Sequence, residues 1–89
     1  MNTTQPTIID VREPSEYAAG HAEGAINAPV GTLESNPPVL ANLAKDTPII
    51  VYCRSGVRAH QSSQILTRLG FTNVTNGINQ ETLESDSEL

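Results

Sequence analysis

The only cysteine of this 89-residue chain, Cys53, opens the hexapeptide CRSGVR at 53–58, whose turn is flanked by Arg54 and Arg58. A thiol in electropositive surroundings ionises readily, and the thiolate is the nucleophile. Residues 48–52 read as a buried strand, rich in Ile and Val and bounded by Pro48 and a glycine-containing turn. Residues 57–69 can be helical. Cys53 is therefore expected at the carboxyl end of a strand, facing the amino end of a helix, where unpaired backbone N–H groups stabilise an anion. The anion can be a thiolate, a substrate oxyanion or a charged sulfur adduct. Gly56 lets the turn bring successive N–H groups inward. Arg58 can pair two hydrogen bonds with an oxyanion and is the expected holder of an anionic substrate. Arg54 either joins it or points to solvent and adds field. A buried cysteine that serves only as a small hydrophobe would gain nothing from a tight turn between arginines.

The elements that must position this loop follow from pattern. Residues 7–11 form a second apolar strand, and Glu13-Pro-Ser-Glu opens a short helix with proline in its first turn and Gly20 as terminator. A brief strand is expected over 25–28. Ser35 or Asn36 can cap a short helix through Val39, Leu40 and Leu43, with Lys45 near its end. The long helix closes at Gly70, and 71–75 is the last strand. Strands alternating with helices predict an α/β fold, with a central, mostly parallel sheet of four to five strands covered on both faces.

The loop CRSGVR, together with DVREPSEY at 10–17 and GHAEGAINAP at 20–29, resembles the rhodanese family of sulfurtransferases, in particular its short phage-shock-type single-domain members. The motifs occur in the family's order and the likeness runs over residues 7–78. It implies that Cys53 is the catalytic residue, taking a sulfane sulfur from a donor such as thiosulfate and passing it from a persulfide to cyanide or a thiol. It places Arg54, Ser55, Gly56, Val57 and Arg58 in the substrate-binding loop. Asp10 and His21 could line the pocket rim, although His21 reads first as a hydrogen-bonded structural residue. Arg12 is expected in an ion pair with Asp10 or Glu16. His60 is expected at the surface, and Arg68 near its helix terminus complements the dipole. Two departures stand out: family members usually carry an extra strand and helix before DVR, and many end in a Gly-Gly pair and a tryptophan. Here only six residues precede Thr7, and the counterpart of the Gly-Gly pair is Asn76-Gly-Ile-Asn79 in a chain without tryptophan.

Composition narrows the partners. One cysteine permits neither an internal disulfide nor a Cys-x-x-Cys pair, and the two histidines have no metal-ligand spacing, so no cofactor or metal is expected. The net charge of −5 argues against nucleic-acid partners. Residues 1–80 carry five basic against six acidic side chains, and Glu81, Glu84, Asp86 and Glu88 follow, so 1–80 reads as the single domain and 81–89 as an acidic, mobile tail. The loop is thus a positive spot suited to a small anionic sulfur donor, with a thiol, cyanide or a protein as acceptor. No stretch reads as a membrane span or signal peptide, which points to the cytoplasm, or to the periplasm if Met1 follows a removed signal. Competing readings are a persulfide carrier or sensor fed by a partner protein, and a non-catalytic interaction module. The Cys-x-x-x-x-Arg spacing is one residue shorter than that of related phosphatases and disfavours phosphate chemistry.

Overall fold

Apolar, β-branched runs build the sheet that carries the cysteine loop. In the computed structural model, which describes residues 6–35 and 37–86, β1 (Thr7–Asp10), β2 (Ile26–Asn27), β3 (Ile49–Cys53) and β4 (Val74–Asn79) form one sheet in the order β2-β1-β3-β4. Every pairing is parallel, as expected for strands joined by helical crossovers. The connections are α1 (Pro14–Ala19), a 3-10 turn (Val30–Ser35) with α2 (Pro38–Ala41), and α3 (Val57–Arg68); α4 (Gln80–Asp86) follows β4.

Alternation along each strand sorts the side chains between two faces. Ile9, Val11, Ile49, Val51 and Cys53 pack on one face with Leu33, Leu40, Ala59, Leu66 and Phe71. Ile8, Ile50 and Tyr52 point to the other, against Tyr17 of α1, Ala22, Ala25 and Leu83 of α4. Helices cover both faces, and neighbouring Tyr52 and Cys53 serve different ones.

Three elements differ from expectation. β4 starts at Val74 because Phe71 N–H is taken by Leu66 O at 3.0 Å and Thr72 N–H by Lys45 O at 2.9 Å. The segment after the helix is thus spent on terminating α3 and on joining the turn before β3. α2 is shorter than expected and stops before Leu43, its amino-terminal cap position being Pro37; Asn36, one of the expected caps, lies outside the described residues. The acidic segment expected to be a mobile tail from Glu81 instead begins as α4: Asn79 Oδ1 accepts Thr82 N–H at 2.7 Å, and Leu83 is buried against the Tyr52 face. One buried leucine outweighs the charge-rich composition, because it covers a sheet face otherwise open to water. Residues 87–89 lie outside the described part.

Candidate active site

β3 delivers Cys53 to the carboxyl edge of the sheet, the edge at which parallel α/β sheets bind their ligands. The chain then turns through Arg54 and Ser55 to Gly56, which occupies the left-handed region at φ 96° and precedes the first residue of α3. This conformation is cheap only for glycine. A side chain there would also crowd Ile78, whose Cγ2 lies 3.3 Å from where a Cβ would stand.

The turn wraps peptide N–H groups around the sulfur. Gly56 N–H donates to Cys53 Sγ at 3.1 Å and Ala59 N–H at 3.4 Å. Burial pushes the thiol up, but the N–H groups of Ala59, Ser55, Gly56 and Arg58 pull it down by more, leaving it below its ordinary value. The stabilisers of the anion are therefore backbone dipoles, the N–H groups expected at the start of the helix, and not the guanidinium groups expected to add to them. The sulfur is buried and accepts hydrogen bonds as a thiolate does.

The two loop arginines have different fates. Arg54 is exposed and makes no hydrogen bond or ion pair among the described residues. Arg58, expected to hold an anionic substrate, has its guanidinium on Glu16 of α1, with Nη1 donating to Oε1 at 2.8 Å and Nη2 to Oε2 at 3.2 Å. Glu16 also accepts Glu13 N–H at 2.9 Å, completing a capping box at the start of α1. The Arg58 fork and the Glu13 N–H hold its carboxyl down at about 2.

Asp10 was expected at a pocket rim and is instead fully buried on the opposite face of the sheet from Cys53, paired in register with Tyr52. Arg12 clasps it, with Nε 2.9 Å from Oδ1 and Nη2 2.7 Å from Oδ2, and Arg12 Nη2 also donates to Gly20 O at 2.7 Å. Of the two partners considered for Arg12, Asp10 is the one it takes. Tyr52 OH donates to Asp10 Oδ2 at 2.9 Å and accepts Ala22 N–H at 2.9 Å. Burial pushes the Tyr52 hydroxyl up to about 12, so it stays protonated and can donate. His21 is exposed and stacked on Tyr17, ring centroids 3.7 Å apart, with Nδ1 2.9 Å from Tyr17 O. His60 is exposed, as expected.

Sequence reasoning passed over the residues that brace the loop from β4. Asn76 Nδ2 donates to Gly56 O at 3.2 Å, and Asn76 Oδ1 accepts Ile78 N–H at 2.8 Å. The register slips between Val51 and Tyr52, which pair with Asn76 and Ile78, so Gly77 is the extra residue of a bulge. Ile78 carries a positive φ of 73°, a strained setting for a β-branched residue. The only signal in the sequence was Asn76-Gly-Ile-Asn79 in place of the family's paired glycines.

The fold and the loop together define a class: a parallel α/β domain with a backbone-cradled thiol at the end of a central strand. Residues 1–78 match the family model described as the rhodanese-like domain, and the chain belongs to that family. Thiosulfate sulfurtransferase PspE of Escherichia coli is 37% identical over 68 residues, covering 76% of this chain and 64% of that protein. A tRNA uridine(34) hydroxylase of Photorhabdus laumondii is 36% identical over 77 residues, covering 83% of this chain but 22% of the larger protein. The solved structure of the human single-domain sulfurtransferase TSTD1 superposes with a TM-score of 0.76 at 32% identity, covering 89% of this chain and 81% of that one. The chain spans about half the length of the first curated relatives it matches, 56% and 52%.

Proposed function

We propose that the protein is a sulfurtransferase that carries sulfane sulfur as a persulfide on Cys53, drawing it from thiosulfate or a similar donor and giving it to a thiophilic acceptor such as cyanide or a thiol. The observation that carries this reading is the pair of peptide N–H donors on Cys53 Sγ, from Gly56 and Ala59, at the carboxyl end of β3. They hold the sulfur as a nucleophile without any base, so no proton need be removed during attack.

In the first half-reaction the Cys53 thiolate attacks the outer sulfur of the donor. The new S–S bond forms as the donor's own S–S bond breaks, and the electron pair leaves with sulfite. Cys53 becomes a persulfide within the expected loop of Arg54, Ser55, Gly56, Val57 and Arg58, its charge stabilised by the N–H groups of Ser55, Gly56, Arg58 and Ala59. In the second half-reaction an acceptor nucleophile attacks the outer persulfide sulfur and the pair returns to Cys53 as thiolate. Peptide dipoles fixed before the reaction stabilise both anions with little reorganisation.

The test is the intact mass of the purified protein after incubation with thiosulfate, repeated with Cys53→Ser. A gain of one sulfur atom by the unaltered protein alone, removed by cyanide with release of thiocyanate, is the expected result. An equal gain on Cys53→Ser would refute the assignment.

A further inference from the structure

The charge around the loop is arranged against the donor that its arginines suggest. Glu16 neutralises Arg58 through two hydrogen bonds, 2.8 and 3.2 Å long, and is itself pinned by the Glu13 N–H. Glu13 is near enough to act on Arg58 through space. Beside the Cys53 thiolate this leaves Arg54 as the loop cation without a carboxylate partner among the described residues. A thiosulfate dianion approaching Cys53 meets one uncompensated positive charge and the thiolate's negative charge. The turn around Cys53 also presents apolar surface. Val57, the first residue of α3, is 64% exposed, and Ile78, against Gly56, is 41% exposed. A dianion gains nothing from either side chain, whereas the carbon chain of an organic donor does.

We propose that Glu16 is a specificity-determining residue: by neutralising Arg58 it biases Cys53 toward hydropersulfides of uncharged organic thiols, which carry at most one charge, and against the dianion thiosulfate. The proposal rests on the persulfide reading of Cys53. The step balances as before: the thiolate attacks the outer sulfur of R–S–SH, the donor S–S bond breaks, and its electron pair leaves on R–S⁻ while the proton stays with the transferred sulfur. Glu16 touches neither sulfur and acts through Arg58, by charge.

The experiment compares the second-order rate of sulfur loading on the full chain, followed by quenching and intact mass, for thiosulfate and for the hydropersulfide of 2-mercaptoethanol. The unaltered protein is expected to load faster from the hydropersulfide. Glu16→Gln keeps acceptor oxygens for Glu13 N–H and Arg58 but removes the charge. It should raise thiosulfate loading by about tenfold and leave hydropersulfide loading within about twofold, and added salt should erode the gain because screening acts on the dianion most. Glu16→Asp, which keeps the charge and loosens the geometry, should retain the original donor preference. Equal changes for both donors, a fall in thiosulfate loading with Glu16→Gln, or the same altered preference with Glu16→Asp would each overturn the proposal. Loading from neither donor in the unaltered protein would instead overturn the persulfide reading on which it rests.

Discussion

Two arginine–carboxylate pairs of similar geometry occupy this small domain, and their surroundings give them different work. Arg12 and Asp10 are two residues apart and meet at 2.7 Å, with the carboxylate fully buried under the guanidinium. Arg58 and Glu16 are 42 residues apart and meet at 2.8 Å, with side chains 31% and 24% exposed. The first pair is fastened to Tyr52 and through it to Ala22, so it ties β1 and β3 to the start of the β2 segment. The second joins α1 to the first turn of α3, beside a thiol that has no side-chain partner among the described residues. A buried charge without its partner is expensive, whereas a water-accessible pair costs little to rearrange. The buried pair therefore belongs to folding, and the open pair can be spent on chemistry.

Asp10→Ala should have the largest effect on stability, a loss of about 3–5 kcal/mol, because it strands the Arg12 charge and the Tyr52 hydroxyl together. Urea unfolding followed by circular dichroism measures it. A loss no larger than that of a surface substitution would erase the distinction between the pairs. Tyr52→Phe removes one donor to Asp10 and the acceptor of Ala22 N–H, and should cost about 1–3 kcal/mol in the same assay. Glu16→Gln should leave the urea midpoint nearly unmoved while changing donor preference, which separates the two pairs by the property each controls.

The smaller effects concern pH. Glu16 has its carboxyl lowered to about 2 from 4.5, so whatever its pairing contributes to stability is present above 4.5 and is lost as pH falls from there toward 2. Acid titration of the unaltered protein against Glu16→Gln reads that window. Cys53 is also lowered, so the thiolate's contribution is present above the unfolded thiol value and is lost as pH falls through the folded one. Alkylation by iodoacetamide should accordingly reach its half-maximal rate below the pH typical of a free thiol. Asn76→Ala should move that midpoint upward, since Gly56 O then loses the amide that holds its peptide in place. An unmoved midpoint would show that the Gly56 turn needs no brace from β4.

Local chemistry was readable in a line of residues. An apolar strand, a turn with glycine and a helix start around Cys53 place a thiol at a strand end, because each of these features is decided within a few residues. The caps were readable for the same reason: Gly20 ends α1 at Tyr17 O, and Gly70 takes a positive φ of 104° after α3. Periodicity also implied buried parallel strands, and hence crossovers that cover both faces.

What the linear pattern left open depends on which distant groups become neighbours. Arg58 looked like an anion holder until the crossovers set Glu16 against it. Asp10 looked like a rim residue until its register with Tyr52 turned its side chain to the face opposite Cys53. Residues 81–86 looked like part of a solvated tail until Leu83 packed onto the sheet face that carries Tyr52. Asn76 showed no local sign of its reach to Gly56. The nucleophile and its strand–turn–helix setting come from short-range sterics and hydrogen bonding, which the order of residues encodes directly. The charge, bracing and accessibility around it are sums over contacts that exist only once the sheet has closed, and tertiary packing alone determines them.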